Sequence, residues 1–129
     1  MTVSLQLDGG RITGIESFYD EVNRVFMAGE TWTLAASLDA LDDLLRGGYG
    51  TLHGVDTARL GWTDSESSRR ALGREATIAY YAAKLDNPAY DGARARSAIA
   101  ELEAGRGQTY ADIVIEIFAG HPAIELVLS

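Results

Sequence analysis

The sequence SLDALDDLL, residues 37–45, predicts an amphipathic helix with one apolar and one acidic face. Its four leucines recur at spacings of three and four, which is typical of the buried stripe of a helix. Asp39 and Asp43 lie four residues apart and therefore share the other side, with Asp42 beside them. Ser37 is the predicted N-cap, and a pair of glycines just beyond the stretch ends the helix. The acidic face is interpreted either as a solvated surface or as a binding surface.

The composition predicts one domain that spans residues 1–129. A chain of 129 residues with 47 % hydrophobic residues is large enough to bury a core. It contains no cysteine, which excludes a disulfide framework and thiolate chemistry and favours a reducing compartment. We see neither a basic-then-apolar leader nor an apolar run long enough to cross a bilayer. The expectation is therefore a cytoplasmic protein without a membrane partner.

The charge is acidic and unevenly distributed. The net charge is −8, which argues against nucleic acid as a direct ligand because phosphates repel it. Residues 1–56 carry −6, residues 57–108 carry +1 and residues 109–129 carry −3. Acidic ends of this kind attract a basic partner at long range, in a salt-dependent way. The alternative, that the acids only keep the surface solvated, stays open on composition alone.

Periodicity along the chain predicts an α/β fold. Alternating or continuous apolar residues predict three strands, the last of them buried: 2–7, 59–62 and 123–128. Helical spacing predicts helices between them: 16–27, 37–45, 63–86 with a break at Gly73, 95–102 and 110–117. Capping boxes are expected at Thr63 with Glu66 and at Thr109 with Asp112. Strands joined through helices favour a small parallel sheet.

Two separate segments resemble the barstar family of intracellular inhibitors of secreted ribonucleases. Residues 38–45 look like the family's acidic helix, which follows an aromatic loop, and residues 126–129 look like its closing strand. Counting back from Ser129 without a gap places Glu116 where the family has a third binding carboxylate. The resemblance implies a barstar-like fold, with a small three-stranded parallel sheet packed with helices.

The resemblance covers residues 1–66 and 108–129. The stretch between, residues 67–107, looks like a helical insertion before the last helix and strand. Its near-neutral charge fits a region outside the binding face. The size and the insertion are also similar to those of barstar-like inhibitors of streptomycete guanyl-specific ribonucleases.

The resemblance implies a protein inhibitor, not an enzyme, that blocks the basic cleft of a microbial ribonuclease in a 1:1 complex without a cofactor or a metal. Asp43 is then the anchor that takes the place of phosphate, and Asp39 meets a second basic group at the cleft edge. Glu116 reaches a further cation, and Gly47 lets the backbone approach the enzyme. The other positions implied to contact the ribonuclease lie before and after the helix: Trp32, Thr33, Ala36, Arg46 and Tyr49.

Several positions depart from the family pattern. Asp42 stands where the family has a large aromatic residue. Arg46 stands where the family has a small polar residue, and it either folds back onto Asp42 or Asp43 or meets an acidic group of the target. Thr33 and Leu34 replace two loop tyrosines, and either Trp32 or Tyr49 is expected to supply the lost ring contact. These departures leave the identity of the target open.

Two other functions remain as alternatives. The first is a hydrolase in which four side chains hold a divalent cation: Asp39, Asp43, Glu116 and His53. The chain offers no nucleophile–base pair in support of it. The second is an immunity or regulatory module of the same fold whose partner is another toxin or a protein that is not a nuclease.

Overall fold

The computed structural model describes all 129 residues and confirms an α/β architecture with one small parallel sheet. The three strands lie in the order β1-β2-β3: β1 (Thr2–Asp8), β2 (Thr57–Thr63) and β3 (Ile124–Leu128). Six helices connect them: α1 (Ile15–Phe26), α2 (Leu38–Leu44), α3 (Ser65–Ala71), α4 (Arg74–Leu85), α5 (Gly92–Glu103) and α6 (Tyr110–Ala119). None of these helices combines the length and the apolar character needed to cross a membrane.

The central strand β2 forms the middle of the hydrophobic core. The indole of Trp62 is 2 % exposed and stacks on the ring of Phe18 from α1, with 5.8 Å between ring centroids. On α6, Phe118 meets the same indole edge-on at 6.4 Å. The indole Nε1–H is also satisfied, because it donates to Ser68 Oγ at 2.9 Å. Because α1 and α6 both pack on β2, the core fixes the position of α6 relative to the sheet.

The prediction that the last strand is buried is wrong. Only Ile124 of β3 is buried, and Leu128 is 37 % exposed. The strand pairs with β2 alone and forms one edge of the sheet, so part of its apolar surface faces solvent. Its interrupting acid, Glu125, lies 3.9 Å from Arg59 on the neighbouring strand.

One of the two predicted capping boxes forms and the other does not. Thr109 and Asp112 cap α6 reciprocally, as predicted. Thr63 instead remains the last residue of β2, and its hydroxyl donates to the carbonyl of Leu7 at 3.3 Å. The N-cap of α3 is therefore Asp64, which adopts a left-handed backbone with φ of 49° and gives no side-chain cap. The pairing of β2 with β1 therefore prevents Thr63 from acting as the predicted cap.

The tight turn after β1 depends on Gly9. A Cβ atom at this residue would lie 2.2 Å from the carbonyl oxygen of Thr63 and 2.5 Å from that of Asp64. Because Gly9 has no side chain, the end of β1 can pack directly against the turn between β2 and α3.

A buried carboxylate, Glu21, holds α1 against the end of β1. It accepts hydrogen bonds from the Asp8 amide at 2.6 Å and from two nitrogens of Arg24 at 2.6 and 2.7 Å. Burial by itself would raise the pKa of Glu21. The hydrogen bonds and the arginine charge outweigh this effect, so the pKa lies below its ordinary value. The charge is thus compensated, and this acid supports the fold.

The α4–α5 pair, within the segment expected to be an insertion, is joined to the core through α4 and the buried Tyr110. The ring of Tyr80 on α4 meets the ring of Tyr110 edge-on at 5.1 Å. The Tyr110 hydroxyl shares a 2.6 Å hydrogen bond with Tyr19 of α1, and its amide donates to Thr77 Oγ1 at 2.7 Å. The start of α6 is therefore the attachment point of the α4–α5 pair.

Candidate functional site

Helix α2 has the two faces that its sequence predicts. Leu41 and Leu44 are fully buried, whereas Asp39 and Asp43 are exposed. The hydroxyl of Ser37 accepts from the Ala40 amide at 3.0 Å, so the predicted N-cap is confirmed. The apolar face holds the helix on the core while its acids point into solvent.

Asp43 lies beside a pair of aromatic rings. Tyr49 donates its hydroxyl to Asp43 Oδ2 at 3.0 Å, and its ring centroid lies 4.9 Å from that of Trp32. Burial and the neighbouring carboxylate raise the pKa of Tyr49, so its phenol stays a donor. The indole of Trp32 is 46 % exposed. We call Asp39, Asp43, Trp32, Tyr49 and Glu116 the acidic surface.

The loop that carries Trp32 is tied to α1. The Leu34 amide donates to Asn23 Oδ1 at 2.6 Å, and Asn23 Nδ2 donates to the Leu34 carbonyl at 3.3 Å. Leu34 itself is buried, while Thr33 and Ala36 are exposed on either side of it. Both residues are thus accessible to a partner.

Asp42, unlike its neighbours on α2, has basic partners within the chain. Its Oδ1 lies 2.7 Å from His121 Nε2, in the turn after α6, and its Oδ2 accepts from Arg46 at 3.3 Å. The hydrogen bond and charge of His121, assisted by Arg46, lower the pKa of Asp42 against a smaller opposing effect of burial. Arg46 therefore folds back onto Asp42, and Asp42 ties α2 to the end of α6.

We expect His121→Ala to raise the pKa of Asp42 toward its ordinary value of 3.8. In the folded wild type this pKa is depressed, so the interaction stabilises the fold above pH 3.8 and is lost as the pH falls through the depressed value. The variant should therefore lose less stability on acidification. Carbon-detected NMR titration of the Asp42 carboxyl group measures the shift. An unchanged Asp42 titration in the variant would contradict the pairing.

Glu116 lies on the exposed side of α6, which packs against α2. Its Oε2 accepts from Gln108 Nε2 at 2.6 Å. Gln108 precedes α6 and was not anticipated from the sequence, because an uncharged side chain eight residues away gives no pattern. A neutral amide orients Glu116 without neutralising its charge.

Gly47 lies in the turn after α2 and adopts a left-handed conformation, with φ of +83°. A Cβ atom there would lie 3.4 Å from the carbonyl oxygen of Leu52. This conformation favours glycine, so turn geometry alone explains the residue. Its predicted role in close approach to an enzyme stays a prediction.

The four residues considered for a cation site are not gathered by the fold. No three histidine, cysteine, aspartate or glutamate side chains come together in a way that could hold a metal ion. The cluster of Asp39, Asp43, Glu116 and His53 therefore does not form.

Neither models of known protein families nor a search of curated proteins gives a match to this chain. What the acidic surface can do follows from its charges. Asp39, Asp43 and Glu116 form no ion pair within the chain. Accessible carboxylates on α2 beside the exposed indole of Trp32, with a further one on α6, suit a basic protein surface with arginine or lysine at its centre.

Proposed function

We propose that the protein is a barstar-like inhibitor of a microbial guanyl-specific ribonuclease. The observation that carries the proposal is that Asp39 and Asp43 are exposed and lack any cationic partner, on a helix that the fully buried Leu41 and Leu44 hold to the core. In chain order the acidic helix follows β1 and α1 and precedes β2 of a three-stranded parallel sheet, which supports the proposal. A rigid helix of this kind presents carboxylates where a ribonuclease binds the phosphates of RNA.

The inhibition needs only occupancy of the cleft. Asp43 enters the cleft as a phosphate substitute, since a ribonuclease binds phosphate with arginine, lysine and histidine. Its Oδ2 accepts from Tyr49, which leaves Oδ1 free for a basic group of the enzyme. Charge-assisted hydrogen bonds to arginine are roughly twice as strong as neutral ones. Because Tyr49 orients the carboxylate before binding, less conformational entropy is lost in the complex.

Other residues of the acidic surface widen this contact. Asp39 lies one helical turn before Asp43 and meets a second cation at the cleft edge. Glu116, oriented by Gln108, reaches a third cation from the neighbouring helix. The exposed indole of Trp32 supplies apolar contact beside the charges. The net charge of −8 draws a basic enzyme in before contact is made.

The test is to titrate a purified guanyl-specific microbial ribonuclease with the protein and to follow RNA cleavage. We expect activity to fall linearly to zero at a 1:1 ratio, at low ionic strength. Raising the salt concentration should slow association and weaken inhibition, because the Debye length shortens from ~30 Å at 0.01 M to ~3 Å at 1 M. Undiminished cleavage by several such enzymes would reject the proposal.

One observation favours a different basic target as the second candidate. The guanidinium of Arg46, on the helix side of the turn, is 68 % exposed although it contacts Asp42. A partner with an acidic group near its basic cleft would suit this mixture of charges better than a uniformly basic cleft. The protein would then be an immunity module against another toxin, and pull-down of a partner without ribonuclease activity identifies that case.

A further inference from the structure

A surface groove of about 380 Å³ lies between α2, α4 and α5, next to the acidic surface. Its walls combine aromatic rings with two basic side chains and one carboxylate, that of Asp91. The residues that define its character are Leu38, Tyr80, Tyr81, Lys84, Tyr90 and Arg94. The mechanism of cleft blockade uses none of them.

The aromatic wall of the groove is organised around one cation. Lys84 Nζ lies 4.5 Å from the ring centroid of Tyr80 and 4.6 Å from that of Tyr90. The lysine thus holds the ring of Tyr90 in place by cation–π attraction. Tyr90 remains 50 % exposed. A half-exposed tyrosine held by neighbouring groups is typical of an interface anchor, because little freedom is lost on binding.

The groove differs in charge from the acidic surface. Residues 67–107 contain seven basic and five acidic side chains, whereas the rest of the chain carries a net charge of −10. Lys84 and Arg94 outnumber the one acid of the groove, Asp91, whose Oδ1 already accepts from two amides at the start of α5. The two bases would be repelled by the basic centre of a ribonuclease cleft. The groove therefore complements a region of the enzyme that is less basic than the cleft and that carries at least one carboxylate.

The groove is continuous with the acidic surface along the first turn of α2. Leu38 lines the groove, and the next residue, Asp39, belongs to the acidic surface. A protein bound over Asp39 must therefore cover the groove or pass close to it. A small ligand would gain nothing from this continuity, whereas a protein partner would.

We propose that the groove receives an apolar or aromatic side chain next to a carboxylate, on a loop at the rim of the ribonuclease that the acidic surface binds. This inference rests on the proposed function and names the second contact of the same complex. The acidic surface matches what guanyl-specific ribonucleases share, a basic cleft. The groove matches a rim loop outside that cleft, so it decides which of these enzymes is bound most tightly.

The test uses the ribonuclease that the wild-type protein inhibits best among a panel of guanyl-specific enzymes. Tyr90→Ala should raise the inhibition constant at least tenfold, through faster dissociation. Tyr90→Phe keeps the ring and should restore near wild-type inhibition. Leu85→Ala, which removes another exposed apolar side chain at the end of α4, serves as the matched control and should have little effect.

The charge of the groove is tested in the same assay. Arg94→Glu should weaken inhibition, although it makes the protein more acidic and should strengthen any unspecific attraction to a basic enzyme. Arg74→Glu, an exposed change of the same charge at the start of α4, should not weaken it. Opposite effects of the two changes would place the rim carboxylate opposite Arg94.

The outcomes separate this inference from the proposed function. If the wild-type protein inhibits no ribonuclease, the proposed function fails and the groove contact fails with it. If wild type inhibits but Tyr90→Ala and Arg94→Glu inhibit equally well, the groove contact alone is rejected. Analytical ultracentrifugation tests whether a second copy of this chain occupies the groove instead. Self-association that is abolished by Tyr90→Ala would assign the groove to that second copy and reject the proposal.

Discussion

Asp43→Asn is expected to weaken inhibition of the target ribonuclease by at least about 30-fold, which corresponds to the ~2 kcal/mol of a binding hot spot. The substitution keeps the shape of the side chain and an oxygen that can accept from Tyr49. It removes only the charge, which the fold itself leaves without a cation. Inhibition titrations at fixed ionic strength measure the ratio of inhibition constants.

The matched control is Asp20→Asn, an exposed change of the same net charge on α1 that breaks no ion pair. It should alter inhibition by a small factor that disappears at high salt. Asp42→Asn should also cost less than Asp43→Asn, because its charge is already engaged by His121 and Arg46. Equal losses in all three variants would mean that net charge alone, and no oriented carboxylate, accounts for inhibition.

Gly9→Ala is expected to lower the free energy of unfolding by about 3 kcal/mol, at the upper end of the usual cost of overpacking. The new methyl group would lie 2.2 Å from the Thr63 carbonyl oxygen and 2.5 Å from that of Asp64. Both are backbone atoms, so no side-chain rotation relieves the clash. The turn is also constrained by Asp64, a non-glycine residue at φ of 49°. Urea denaturation at equilibrium measures the difference.

Gly29→Ala provides the comparison for this change. A Cβ atom at Gly29 meets nothing within 4 Å, and its φ lies outside the left-handed region. We expect its stability to stay within about 0.5 kcal/mol of wild type, as for most surface substitutions. Equal stability of the two variants would show that the end of β1 can move away from the β2–α3 turn.

The elements of the fold could be predicted from sequence because they depend on local spacing. Alternation at residues 2–7 and the leucine stripe of α2 each identify one element without knowledge of its neighbours. The exposure of β3 could not be read in this way, because it depends on which strand lies at the edge. The failed cap at Thr63 has the same origin, since its hydroxyl is used by a residue 56 positions earlier.

In the candidate site, too, some residues follow from local spacing and others are brought together only by folding. Helical spacing identified the exposed acids Asp39 and Asp43, and the resemblance added Glu116. His121 was missed because its partner, Asp42, lies 79 residues away and a single histidine forms no pattern. The pairing of Trp32 with Tyr49 joins two loops on either side of α2, so only the folded chain brings the rings together.

The contacts of Tyr110 have a consequence for the dynamics of the molecule. The α4–α5 pair cannot separate from the core without exposing the ring of Tyr110 and breaking its amide bond to Thr77. Separation would also break the hydrogen bond between the hydroxyls of Tyr110 and Tyr19, so it would affect α1 as well. We therefore expect α4 to unfold together with the sheet and not to open as a separate subdomain. Its amide protons near Thr77 should exchange with solvent only in that larger event.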